Sequence, residues 1–188
     1  MLANDNDYHY DSDMVKESQS KTCRYIWRLR MKVNAASVPR FFQDSGFSLR
    51  PFERGVDEHI WLDVNNFAFA GHPDQGNWNY GKLHSRMDEA WFRHERFILC
   101  FKEEELAGFI WNKSVKEEFS QVGEIHIIAV SPHHQNCGLG RALVKQSLAM
   151  MHEDGFDEAI VYTDETNTVA IRLYESVGFS LEVIEPAE

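Results

Sequence analysis

The residues with the most evident chemistry run from Gln135 to Arg141, Gln-Asn-Cys-Gly-Leu-Gly-Arg. They follow an apolar, β-branched run, Ile125 to Val130, which is too short and too branched for a helix and reads as a strand. Ser131-Pro132 ends that strand, because proline has no amide hydrogen to give the ladder. A helical pattern then begins, with Leu139, Ala142, Leu143, Gln146 and Met150 on one face. A strand, a glycine-bearing loop and a helix start make an anion cradle: first-turn amides lack intrahelical partners, and the helix dipole adds positive potential. Gly138 and Gly140 let a phosphate approach the backbone closely. An ordinary strand-turn-helix connection with flexible glycines fits the same residues.

The pattern Gln135-x-x-Gly138-x-Gly140 resembles the pyrophosphate loop of the GCN5-related N-acetyltransferases (GNAT), which bind acetyl-coenzyme A. It is not a Walker loop, which needs Lys-Ser/Thr after its second glycine, nor a dinucleotide Gly-x-Gly-x-x-Gly. A second stretch, Asn167-Thr-Val-Ala170-Ile-Arg172-Leu-Tyr174-Glu-Ser-Val-Gly178-Phe179, resembles that family's late helix and lies in the expected order. The resemblance implies an α/β sandwich around a mixed, mostly antiparallel sheet, with acetyl-coenzyme A as co-substrate and no metal. It places the coenzyme on Ile128, Ala129 and Val130, on Gln135, Asn136, Cys137, Gly138, Leu139, Gly140 and Arg141, and on Asn167, Ala170 and Arg172. Asn136 and Cys137 stand where the family often has basic residues.

The same resemblance makes Glu124 the base that frees the acceptor amine, acting through water, and Tyr174 the acid that protonates the leaving thiolate. By position alone, Glu124 reads as a solvated strand-end carboxylate and Tyr174 as a core aromatic in line with Ala170 and Val177. Residues 57–78 (DEHIWLDVNNFAFAGHPDQGNW), with Gly108 to Lys113, Gly123-Glu124 and Val161-Tyr162, are similar to one branch of the family, the mycothiol synthases. Those enzymes acetylate the cysteine amine of a cysteinyl-glucosaminyl-inositol. The branch implies acceptor contacts from Asp74, Lys113, Glu124 and Tyr162. An acetyltransferase for protein N-termini or another small amine shares the coenzyme motifs. So does a domain that holds coenzyme A without turnover.

Around these motifs, the composition describes a folded domain. The 188 residues are 43% hydrophobic and 13% aromatic, enough for one substantial core. A net charge of −11 argues against nucleic acid as a partner, and no apolar run approaches the length of a membrane span. The polar, acidic start is no signal peptide, and Cys23, Cys100 and Cys137 form no disulfide framework, so a cytoplasmic location is expected. His133, His134 and Cys137 match no common zinc spacing. Neither composition nor motif specifies an oligomeric state.

In chain order, residues 1–21 are an acidic tail expected to be disordered. Residues 22–45 hold a strand, Thr22 to Val33, with Tyr25, Trp27, Leu29 and Met31 on one side and Arg24, Arg28 and Arg30 on the other, then a linker from Asn34 to Ser45. Because the mycothiol synthases are tandems, this strand resembles the end of a first domain, which implies either a truncated or divided gene product, with a first GNAT-like domain as a possible separate partner, or a relative that works alone. Residues 46–188 form the acetyltransferase domain. Its strands are expected at Phe47 to Phe52, Phe97 to Phe101, Leu106 to Trp111, Ile125 to Val130, Ala159 to Thr163 and Phe179 to Ile184. Asp57 is expected to cap a helix carrying Ile60, Trp61, Val64 and Ala68, and a short helix is expected from Leu83 to Phe92. Glu118 to Gly123 reads as a turn, and His126 as a structural histidine.

Overall fold

The computed structural model describes residues 24–34, 39–72, 75–117 and 120–186. The acidic tail, Cys23 and Asp74 lie outside the described residues. The chain runs β1 (Tyr25–Lys32), α1 (Phe41–Asp44), β2 (Phe47–Pro51), α2 (Glu58–Ala68), α3 (Tyr80–Met87), β3 (Phe97–Lys102), β4 (Glu105–Lys116) and β5 (Gln121–Val130). It continues through α4 (Leu139–Glu153), β6 (Glu158–Asp164), α5 (Thr168–Glu175) and β7 (Ser180–Pro186). Among the described residues, no helix is long and apolar enough to cross a membrane.

The strands make one seven-stranded sheet in the order β2-β3-β4-β5-β6-β1-β7. Among the described residues, β5 and β6 are the one parallel pair and the other pairs are antiparallel. This is the α/β sandwich with a mixed, mostly antiparallel sheet that the motifs imply. One face of the sheet packs against α4 and α5 through Ile98, Ile110, Ile125, Leu143, Leu148, Val161 and Tyr174. The other packs beneath α2 and α3 around Trp61, an aromatic centre touching Trp78, Phe97, Phe109 and Trp111. A buried polar pair pins α4 to the sheet, the Ser147 hydroxyl donating to Asn112 Oδ1 at 2.7 Å. Gly123 leaves room for Met151 of α4, whose sulfur would stand 2.6 Å from any Cβ placed there.

Four expectations are corrected. Asp57 holds the N-cap position of α2, but its side chain makes no cap bond. The carboxylate instead accepts from both terminal nitrogens of Arg50, at 2.6 and 2.7 Å, and from the Glu53 amide at 2.7 Å. Charge pairing wins over capping because a buried carboxylate needs a cation more than a helix end needs an acceptor. The buried face of α4 centres on Leu143, Ser147 and Met151, with Gln146 and Met150 at its margin, because a helix lying on a twisted sheet buries a wider stripe. β5 begins at Gln121, so Val122 and Gly123 are strand and not turn, paired to Val115 and Ser114. The helix expected up to Phe92 ends at Met87, and Trp91 packs as a loop residue.

The strand β1 takes a central place: it lies between β6 and β7 and pairs with both. Its alternation is as the sequence suggests. Leu29 is fully buried, and Trp27 and Met31 pack on the α4 side. On the opposite face, Arg30 joins Glu117, Glu158 and Glu182 at 2.6 to 2.9 Å. Leu29→Ala should therefore cost about 3 kcal/mol of stability, the usual price of a core cavity, read as a lower urea midpoint with unchanged slope.

Asp57 gives a pH-dependent counterpart. Burial raises its pKa, but the Arg50 and Glu53 bonds outweigh burial and leave it below the usual carboxylate value. A depressed folded pKa means the stabilisation is present above the unfolded pKa and is lost as pH falls through the folded one. Asp57→Asn should lose about 2 kcal/mol at pH 7. The gap between the two proteins should close as pH drops below about 4, followed by denaturation at a series of pH values.

Candidate active site

The site begins with a register fault. Trp111 of β4 faces Ile127, but the next residue, Asn112, faces Ile125, so His126 is an extra residue bulged out of the ladder. The bulge resets the alternation of β5. Gly123, Ile125, Ile128 and Val130 face α4 and α5, whereas Ile127 and Ala129 belong to the aromatic core under α2 and α3. His126 joins this second set, its ring 5.2 Å from Trp91 and 5.5 Å from Trp111.

At the same point β5 and β6 part. Their parallel pairing spans Gly123–Ala159, Glu124–Ile160 and Ile125–Val161, and among the described residues goes no further. Beyond it, Ile127 to Val130 keep β4 on one side and present a bare edge on the other. The gap is a cleft of about 810 Å³ reaching both faces of the sheet.

On the α4/α5 side its walls are Ile128, Val130, Gln135, Gly140, Asn167, Ala170, Leu173 and Tyr174. Asn136 (φ +60°) and Gly138 (φ +89°) turn the chain through left-handed conformations into α4. The first intrahelical bond there runs from the Ala142 amide to the Gly138 carbonyl, 3.1 Å. The amides of Leu139, Gly140 and Arg141 therefore point out of the helix start, and its first turn carries no acidic residue. These features fit the pyrophosphate and pantetheine of coenzyme A. Across the gap, the Asn167 side chain caps α5 by accepting from the Ala170 amide at 3.1 Å.

Tyr174 is both core and wall. Its ring packs on Phe179, it is 4% exposed, and it borders the cleft. Burial pushes its phenol pKa up, so the hydroxyl stays protonated and able to donate across the neutral range.

The other side of the cleft is charged. Glu124 is neither at a strand end nor solvated: it lies mid-strand, 5% exposed, with Oε1 3.0 Å from Lys113 Nζ and 3.6 Å from His126 Nδ1. Lys113 is opposite Glu124 in the ladder, and β4 continues past it to Lys116. Tyr162 is opposite Arg28 of β1 in the ladder, and its nearness raises the guanidinium's pKa against the burial that lowers it. Arg24, paired with Asp164 at 3.3 Å, and His72 and Gln75 complete this rim.

Of the residues expected at the site, Glu124, Tyr174, Lys113, Tyr162, Ile128, Ala129, Val130, Gln135, Gly140, Asn167 and Ala170 line this one cleft. Asn136, Cys137, Gly138, Leu139 and Arg141 form the turn and helix start beside it, whereas Arg172 faces solvent outside its walls. His126, Arg24 and His72 are additions. The Arg24 alternation was visible in the sequence, but its place beside β6 was not. Among the described residues, no group of three or more His, Cys, Asp and Glu is arranged to hold a metal ion.

Gly138→Glu should abolish the rise in melting temperature caused by coenzyme A, since any side chain is strained at φ +89° and this one repels phosphate. An undiminished rise would remove the cradle from the site.

Residues 61–179 match the acetyltransferase (GNAT) family. The mycothiol acetyltransferase of Thermobispora bispora is 39% identical over 160 residues, 84% of this chain and 54% of that protein. That of Salinispora arenicola is 37% identical over 163 residues, 85% and 53% of the two chains. The chain thus spans about half the length of the curated relatives it matches. Among solved structures, a GCN5-related N-acetyltransferase from Sphaerobacter thermophilus superposes with TM-score 0.67 at 19% identity, over 87% of this chain and 50% of its own. The ribosomal-protein-S18-alanine N-acetyltransferase of Escherichia coli gives 0.59 at 23%, over 73% and 79%. These two share the fold, and with the matched residues carrying both the cradle and the Glu124 strand, the chain belongs to the acetyltransferase (GNAT) family.

Proposed function

We propose that this chain is an acetyl-coenzyme A-dependent N-acetyltransferase whose acceptor is the cysteine amine of a cysteinyl-glucosaminyl-inositol. The observation that carries the reading is the buried Glu124 carboxylate, set where β5 and β6 part and held by Lys113 at 3.0 Å. A carboxylate at that point reaches the cleft from the charged side while the cradle holds the coenzyme from the other. Relatives named mycothiol acetyltransferase support the acceptor.

Bound acetyl-coenzyme A supplies the activated thioester. The chain's own residues do the rest. Glu124 takes a proton from the acceptor ammonium, directly or through one water, so that the nitrogen lone pair is free. The bare edge of β5 from Ile128 to Val130 offers backbone amides to the oxygen that becomes anionic. As the C–S bond breaks, Tyr174 gives a proton to the departing thiolate, and the second proton shed by the newly acylated nitrogen restores the phenol by way of solvent. Lys113 and Tyr162 hold acceptor hydroxyls beside Glu124, and Asp74 is proposed from the sequence as a further acceptor contact. The relatives are about twice as long as the matched region, and a further domain corresponding to their remaining length would contribute to the acceptor site.

Glu124→Gln should lower kcat/KM roughly 100-fold at pH 7 and much less at alkaline pH, where the amine is already free. A profile of unchanged shape would remove Glu124 from the base role. Tyr174→Phe keeps the packing and should lower kcat while leaving coenzyme binding intact. The acceptor itself is tested by following release of free coenzyme A with cysteinyl-glucosaminyl-inositol beside N-terminal peptides and simple amines. Preference for a peptide would reassign the chain to protein N-termini, and coenzyme binding without turnover on any amine would make it a binding domain.

A further inference from the structure

His126 has no part in the reading above, yet its surroundings are unusual for a packed histidine. It is the bulged residue of β5, held edge-on between Trp91 and Trp111. Its Nδ1 stands 3.6 Å from the same Glu124 oxygen that Lys113 holds. Its Nε2 is buried without a hydrogen-bond partner, although the residue borders the cleft. A separation of 3.6 Å exceeds a formed hydrogen bond, and contacts of this kind in ligand-free sites tighten on substrate binding.

We propose that His126 is a positioning residue for Glu124, a neutral imidazole whose Nδ1–H, with Lys113, occupies Oε1 and leaves Oε2 as the oxygen that receives the acceptor's proton. The inference rests on the reading of Glu124 as proton acceptor. A neutral imidazole has one N–H, and the carboxylate selects Nδ1 for it. Nε2 is then a bare lone pair, which accounts for a buried ring nitrogen without a donor.

Charge is the second half of the argument. Burial above all, then Lys113, holds the imidazole below its ordinary pKa against the opposing pull of Glu124. Arg86 of α3 also acts against its protonation, and that guanidinium is paired with Glu89 at 2.6 Å. Among the described residues, Lys113, Glu124, Arg86 and Glu89 are the charged groups that act on the ring, from β4, β5 and α3 with its following loop. Protonating His126 would put a second cation beside the oxygen that Lys113 already occupies and oppose the arrival of a proton on Glu124. The site therefore needs this histidine neutral.

Two measurements on the coenzyme A complex test this. In ¹⁵N-histidine spectra at pH 8, with the signal assigned by its loss in His126→Asn, His126 should be the Nδ1–H tautomer. An Nε2–H tautomer would overturn the proposal whether or not the protein transfers acetyl groups. In kinetics, His126→Phe keeps a ring between the tryptophans but removes the donor, and should lower kcat roughly ten-fold or more by misplacing the carboxylate. His126→Asn puts an amide N–H near Nδ1 and should restore most of that loss, with the acid limb of kcat/KM moved to lower pH. Equal losses in both variants with a wild-type pH profile would reduce His126 to packing and refute the role. Absence of turnover in the wild type, with the Nδ1–H tautomer present, would sink the acetyltransferase reading and leave the His126–Glu124 contact standing.

Discussion

The structure depends on one strand failing to stay paired. A parallel ladder normally runs the length of both strands, and β5 and β6 keep theirs for only three residue pairs, Gly123–Ala159 to Ile125–Val161. The bulge at His126 comes immediately after, and a bulge bends and twists the strand that carries it. Leaving an edge unpaired in the middle of a sheet costs hydrogen bonds that must be made elsewhere. In the proposed reaction the cleft is useful because of that deficit: the amides it exposes would meet the developing oxyanion, and the splay would admit the coenzyme from the α4 side. The same bulge turns Glu124 and His126 away from α4, so the carboxylate proposed as proton acceptor and the proposed phosphate cradle lie on opposite faces of one sheet.

That opening needs the sheet beyond it to be rigid, and β1 supplies the rigidity. It fills the position between β6 and β7 with the fully buried Leu29 on one face and arginines on the other. Arg30 reaches carboxylates on β6, on β7 and at Glu117 just beyond β4, so one guanidinium ties together strands on both sides of the splay. Burial lowers its pKa but the carboxylates raise it further, which keeps it charged at any pH the protein meets. The strand also borders the cleft, since Arg24 and Ile26 line it and Arg28 is the ladder partner of Tyr162.

How much of this was legible in the sequence follows from the range of the interactions. The cradle was readable because it is local: strand, turn glycines and helix start are contiguous, and φ +89° at Gly138 needs a glycine. The strand periods were readable for the same reason, including the two-sided pattern of β1. Its partners were not, because pairing between residues 25–32 and 158–186 leaves no local mark. The bulge at His126 was hidden as well. Nothing in Ile-His-Ile-Ile marks an extra residue, and it appears only against the register of β4, with the consequence that Glu124 becomes buried and His126 its neighbour. Asp57 misled for a related reason: the capping pattern is local, while Arg50, which takes its carboxylate, comes from the preceding strand.

A chain of net charge −11 that is to accept the polyanionic coenzyme proposed for it has to separate local field from total charge. Here the separation is made by backbone. The first turn of α4 has no acidic side chain and three outward amides, and the neighbouring loop contributes Asn136 and Cys137 where a basic pair would be the stronger attractor. Amides act over a few ångströms and in fixed directions, whereas lysines act further and less selectively. The coenzyme would then be held by fit to a preformed turn more than by attraction from solution. The side proposed for the acceptor is arranged the other way, with Lys113 paired to Glu124 and Arg24 to Asp164 in advance, so that a polar acceptor would exchange existing ion pairs for its own hydrogen bonds and leave no buried charge uncompensated.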